Sequence, residues 1–215
     1  MNKISINYVV SLGKQCHTAQ FLKDNGLKTC SYPFDWIFSW HQPMKEHIII
    51  DALKNNFSIF LDQSYYKVKS NNTCTHKIYG KDLEQSIFLH RNPIEKDIYD
   101  YYKRCVDRLY KLMEKSEKKL FIVMNTNNKN KYINEESIKY LNNILKTYTQ
   151  NYEILLVTNL ISNFNSYKYI KNSNIHILDI CTTSSSNGRK FNNKRDDVYF
   201  KQIIFDIFNF DIKDL

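Results

Sequence analysis

Glycine and proline are scarce, with 4 Gly and 3 Pro in 215 residues. Tight turns draw on the positive φ of one and the fixed φ of the other, so a sandwich of many short hairpins is excluded. Long apolar runs are missing too. No stretch approaches the roughly 20 residues that cross a bilayer, and no membrane partner is expected. Cysteine is limited to Cys16, Cys30, Cys74, Cys105 and Cys181, an odd and scattered set without a paired CxxC. That pattern fits neither a disulfide framework nor a structural zinc site, so free thiols in a reducing compartment are expected. Cys74 and His76 could ligate zinc, but they lack a second pair, and no metal is assigned. Met1-Asn2-Lys3-Ile4 carries no signal-peptide core and no lipidation motif. The expected location is therefore the cytoplasm, a host's if the gene is viral. Gly13 belongs to no dinucleotide glycine fingerprint or phosphate-binding loop, and no cofactor is expected.

What is present is ordinary for a globular chain: 42% apolar and 25% charged residues. A chain of this size buries most of its apolar surface without staples. With no internal repeat and no linker composition, one domain over 1–215 is expected. The formal charge of +9 raises nucleic-acid binding. Its basic residues are spread over several loops, however, including Lys115, Lys118 and Lys119, then Lys129 and Lys131, then Arg189, Lys190, Lys194 and Arg195. Dispersed lysines are usually a solvated surface, so a protein or small-molecule substrate is favoured over nucleic acid as partner. Asn, Lys, Ile and Tyr are abundant, the mark of an AT-rich coding genome.

Ile4 to Leu12 is a β-branched apolar run ending at Gly13, which reads as a buried strand. Cys16 to Lys23 follows as a helix, closed by Asn25-Gly26. His47 to Asn55 and Lys96 to Glu117 are helical by spacing. Phe57 to Leu61 fits a short strand or a helix end, Ser64 to Lys81 has no clear period, and Ser86 to Leu89 is a strand candidate. From Lys119 the pattern alternates: strands at Lys119 to Met124, Glu153 to Thr158 and Ile175 to Ile180, with helices at Glu135 to Tyr148 and Val198 to Phe208. Buried strands alternating with helices predict an α/β fold of three layers: a mostly parallel sheet with helices on both faces, Rossmann-like, with a papain-like arrangement as the alternative.

Cys16 stands where a strand and a glycine lead into a helix. A helix N-terminus favours an anion, so the spacing predicts a thiolate of lowered pKa. A thiolate nucleophile needs a base, and His90, at the end of the Ser86 to Leu89 segment before Arg91-Asn92-Pro93, is the best-placed histidine. His17 adjoins Cys16 but faces elsewhere, His41, His47 and His76 lie in less defined segments, and His176 reads as core. Asp35 sits in the aromatic stretch Cys30 to Trp40. A carboxylate there needs a partner, and either orients His90 or holds the loop. Phe34, Trp36 and Ile37 are expected to be buried beneath the Cys16 helix. An alternative function is the binding of a phosphorylated, nucleotide or glycan ligand at the Gly13 to Cys16 turn, using backbone N–H groups. Ser11, Gly13, Gln15, Trp36 and Asn92 are the candidate ligand-binding residues.

Ser11-Leu12-Gly13, Cys16, Ala19, Leu22, Gly26-Leu27 and Ser31-x-Pro33-Phe34-Asp35-Trp36 together resemble the N-terminal signature of a papain-like cysteine peptidase family of bacteria and large DNA viruses. A looser resemblance runs through His90, the Tyr101 to Leu112 helix with Arg104 and Arg108, and the Leu120 to Met124 strand. Asp196, Asp197 and Tyr199 are a late match. The resemblance implies Cys16 as nucleophile and His90 as base. Papain-like enzymes also place a glutamine upstream of the cysteine in the oxyanion hole, whereas Gln15 is directly adjacent to Cys16.

Overall fold

A computed structural model describes residues 3–39, 48–70, 73–80, 86–126 and 135–215. Trp40, His41, His47, Lys129 and Lys131 lie outside the described residues. The first half contains β1 (Ile4–Ile6), β2 (Tyr8–Ser11), α1 (Cys16–Asp24), α2 (Ile48–Lys54), α3 (Ser58–Leu61), β3 (Tyr66–Ser70), β4 (Thr73–His76) and α4 (Lys96–Met113). The second half contains β5 (Lys119–Asn125), α5 (Glu135–Leu145), β6 (Tyr152–Ile161), β7 (Ser166–Asn172), β8 (Ile175–Thr182), α6 (Lys194–Ile207) and β9 (Phe208–Phe210).

The main sheet has the order β2-β5-β6-β8-β7. Every neighbouring pair is parallel except the β7–β8 hairpin. The chain is thus mixed α/β around a five-stranded, mostly parallel sheet. Its parallel strands follow one another sequentially, without the reversal about a central strand that creates the crevice of dinucleotide-binding folds.

Side-chain alternation along the strands divides the core. Phe121 and Val123 of β5, with Val10, Ile154 and Leu156, face one apolar cluster with α2, α4 and α5. Leu120, Ile122 and Met124, with Val9, Leu155 and Leu178, face the other, with α1 and α6. Both faces of the sheet are therefore covered, which is why its strands read as unbroken apolar runs.

The Ile4 to Leu12 run breaks at Asn7. Its amide donates to the Lys118 carbonyl, and its side chain donates to Asp211. As a result β1 pairs with β9 while β2 pairs with β5. The Ser64 to Lys81 stretch contains the antiparallel β3–β4 hairpin, and Phe57 to Leu61 ends as helix α3. Ser86 to Leu89 forms no named strand; Phe88 makes single bridges to Ile37 and Cys74. α6 starts earlier than the apolar spacing implied, because the Asn193 side chain caps it by accepting the Arg195 amide at 3.0 Å.

Phe34 and Ile37 are fully buried and Trp36 is half-buried. Phe34 stacks on Phe57 at 5.6 Å and meets Phe60 edge-on at 6.0 Å. This packing lies with α2 and α4, not beneath the Cys16 helix, whose apolar residues lie on the opposite face. Phe34→Ala should therefore cost about 3–5 kcal/mol, the usual range for a buried aromatic, and Trp36→Ala clearly less. Urea unfolding of both variants checks the order, and equal losses would contradict it.

Candidate active site

The site begins where β2 ends. The β5 ladder continues past Ser11: Leu12 donates its amide to Ile122 at 2.8 Å, Met124 to Gly13 at 2.9 Å, and Lys14 to Met124 at 3.3 Å. Gly13 has φ +80, a conformation costly for any side chain, although a Cβ there would meet nothing nearer than 3.8 Å. Thr18 Oγ1 donates to the Gly13 carbonyl at 3.0 Å and ties the first turn of α1 to the strand. Cys16, the first residue of α1, is thereby held beyond the C-terminal end of β2, the edge where parallel sheets carry their sites.

Burial decides the state of the thiol. Cys16 is 4% exposed, and desolvation pushes it up to about 11. Its own backbone N–H and the charge of Arg189 pull in the other direction but do not win, while Asp35 adds to the rise. The thiolate expected from the helix terminus is therefore a neutral thiol at rest, because loss of hydration outweighs the terminus.

A cleft of about 250 Å³ is lined by Trp36, His90, Arg91 and Arg189. His90 is exposed there, and the Arg91 guanidinium lies over the Tyr101 ring at 4.0 Å. Arg189 thus belongs to the cleft of His90 and also acts on the Cys16 thiol. Among the described residues, no hydrogen bond joins Cys16 to a histidine ring.

Asp35 is buried and accepts hydrogen bonds from the Tyr32 amide at 3.0 Å and from Lys28 Nζ. It holds its own loop and makes no hydrogen bond to His90. Burial raises its pKa, opposed by Lys28 and the Tyr32 amide, and among the described residues its Oδ1 has no hydrogen-bond partner. Several other candidates are used structurally. Ser11 Oγ accepts the Gly13 amide at 3.3 Å. Because the Gly13 and Lys14 amides both have acceptors within the protein, the anion cradle expected at this turn loses two of its donors. Asn92 Oδ1 accepts the Ile94 amide at 3.2 Å in the turn before α4. Gln15 Oε1 accepts from Thr126 Oγ1 at 2.6 Å, beyond the end of β5. His76 accepts the Ile78 amide at 3.2 Å within a tyrosine cluster, and Cys74 donates to the Lys67 carbonyl. His176 is core, hydrogen-bonded to Glu153 at 2.8 Å and Tyr169 at 2.6 Å.

Sequence reasoning passed over two residues. Lys14 is fully buried two positions before Cys16, and burial pulls its amine down to about 8. Arg189 read as one of several loop cations, and only the fold brings it to Cys16. His17 explains part of that approach. Its Nδ1 lies 2.8 Å from Ser186 Oγ, which accepts the Gly188 amide at 3.0 Å, so α1 holds the loop that carries Arg189. Burial lowers His17 to about 4, so its ring is neutral and its 3.9 Å approach to Asp197 is no ion pair at neutral pH.

A family model described as "Putative papain-like cysteine peptidase" matches residues 7–163. The chain belongs to this family. No curated protein and no solved structure matches the chain. The papain-like match includes Cys16, Asp35, His90 and Arg91 and ends before the loop that carries Arg189.

A thiol raised to about 11 is alkylated only through its small ionised fraction. Iodoacetamide labelling of Cys16 should therefore climb about tenfold per pH unit from neutrality to near pH 10, without a neutral plateau. Peptide mapping of the labelled protein checks this, and a plateau near pH 7 would show a preformed thiolate.

Proposed function

We propose that the chain is a thiol-dependent hydrolase or transferase of the cysteine-peptidase type, with Cys16 as nucleophile and His90 as base. The observation that supports this reading most is the position of Arg189: it lines the cleft holding His90, and its loop is held to the start of α1, next to Cys16, by the 2.8 Å contact of His17 with Ser186. Family membership supports the same chemistry.

The resting state is a neutral thiol, so the proton leaves as attack occurs rather than before it. His90 takes the Cys16 proton while sulfur bonds to the substrate carbonyl carbon and the C=O π pair moves to oxygen. Arg189 stabilises the developing negative charge. Collapse of the tetrahedral adduct breaks the bond to the leaving group, which takes the proton from His90. Water, deprotonated by His90, then attacks the thioester and releases acid and thiol; an acceptor amine or alcohol in place of water gives transfer. Gln15, whose carboxamide oxygen is held by Thr126, has its NH₂ available as an oxyanion donor. Asp35 acts as a positioning residue, keeping the loop that precedes Trp36 against the cleft.

Turnover of p-nitrophenyl acetate tests the assignment. His90→Ala should slow it by about 10²–10⁴-fold, the usual contribution of a general base, and Cys16→Ala should reduce it to background. Full activity in His90→Ala would remove His90 from the mechanism.

A further inference from the structure

A second cleft, of about 430 Å³, also has Arg189 in its lining. One wall is a face of α6: Lys194, Asp197, Val198 and Lys201 recur at helical spacing. More of the lining comes from the end of α1, with Phe21, Asp24 and Asn25, and from Arg189 to Asn192. Four cations, Arg189, Lys190, Lys194 and Lys201, thus meet two carboxylates, Asp24 and Asp197.

Among the described residues neither carboxylate forms an ion pair with a lysine, although the charge of Lys190 acts on Asp197. Asp24 accepts from Gln20 Nε2 at 2.7 Å, and Asp197 accepts the Phe191 amide at 3.0 Å. Among the described residues none of the four cations makes an ion pair. Arg189 donates to Gln20 Oε1 at 3.1 Å, and Lys201 lies over the Phe205 ring at 5.5 Å. With four cations against two carboxylates the cleft has a net positive charge, and a concave surface of net charge concentrates ligands of the opposite sign.

We infer that this cleft is the substrate subsite next to Cys16 and that it takes a peptide segment carrying Asp or Glu side chains. The inference rests on the thiol-enzyme reading for its link to Cys16, through Arg189, which lines both clefts. A peptide fits better than a compact inorganic anion. The cations stand apart on a helix and a loop instead of converging on one point, and Phe21, Phe191 and Val198 between them offer apolar surface to side-chain carbons.

Fluorescence anisotropy of rhodamine-labelled Ala-Glu-Glu-Ala, with Ala-Gln-Gln-Ala as control, provides the test. The glutamate peptide should bind about tenfold more tightly than the glutamine peptide, as one or two charge-assisted contacts allow. The advantage should shrink with added salt. Lys194→Glu/Lys201→Glu, which changes two exposed side chains, should abolish the preference while keeping the wild-type melting temperature. Equal binding of both peptides, or an unchanged preference in the double variant, overturns the subsite. Cys16→Ala should bind the glutamate peptide as wild type does. If that binding stands while no acyl-Cys16 forms on any ester, the thiol-enzyme reading fails and the acidic-peptide cleft remains.

Discussion

The site depends on a short piece of backbone pairing: Leu12 to Lys14 hydrogen-bonded along Ile122 to Met124, past the end of the regular β2 ladder. Three residues of extended pairing fix where the chain leaves the sheet, and Gly13 supplies the turn at φ +80. Cys16 can then only be at the start of α1, with Thr18 tying the helix back to the Gly13 carbonyl. The next backbone contact, Ser39 amide to Lys14 carbonyl at 3.0 Å, brings the Asp35 loop against the same turn. Position, in this account, comes from the β5 strand and only secondarily from the helix.

Two electrostatic effects compete at that position. A helix terminus and a guanidinium favour a thiolate, but enclosure removes water from a group whose charged form needs it. Enclosure wins, and the thiol is raised to about 11. The same outcome appears at His17 and Lys14, where burial lowers both bases. At about 8 Lys14 remains mostly protonated near pH 7. Cys16 and His17 are neutral at rest, which suits proton transfer concerted with attack and spares the fold two buried charges. Asp35 differs in having Lys28 against its buried carboxyl, which opposes the rise that burial causes and fixes the loop.

Much of the architecture was legible because the sheet is covered on both faces. Lys119 to Asn125 and Tyr152 to Ile161 carry apolar residues towards both clusters, so each reads as a strand without ambiguity. The strand, glycine and helix around Cys16 were legible for local reasons: a β-branched run, a glycine and an Asn-Gly stop. The β3 and β7 strands were not, since lysines and exposed positions dominate them and leave no apolar period. The break at Asn7 was hidden because both halves are apolar, and only the pairing with β9 separates them. Burial of Cys16 and the approach of Arg189 depend on segments far apart in sequence, so local patterning predicted the wrong sign for the thiol.

Intact-mass spectrometry of the protein quenched during reaction with p-nitrophenyl acetate, followed by peptide mapping, addresses the central claim most directly. The account predicts a single acetyl adduct on Cys16, absent in Cys16→Ala and formed slowly in His90→Ala. An adduct on the more exposed Cys30 or Cys181 instead, or no adduct under conditions of turnover, would contradict it.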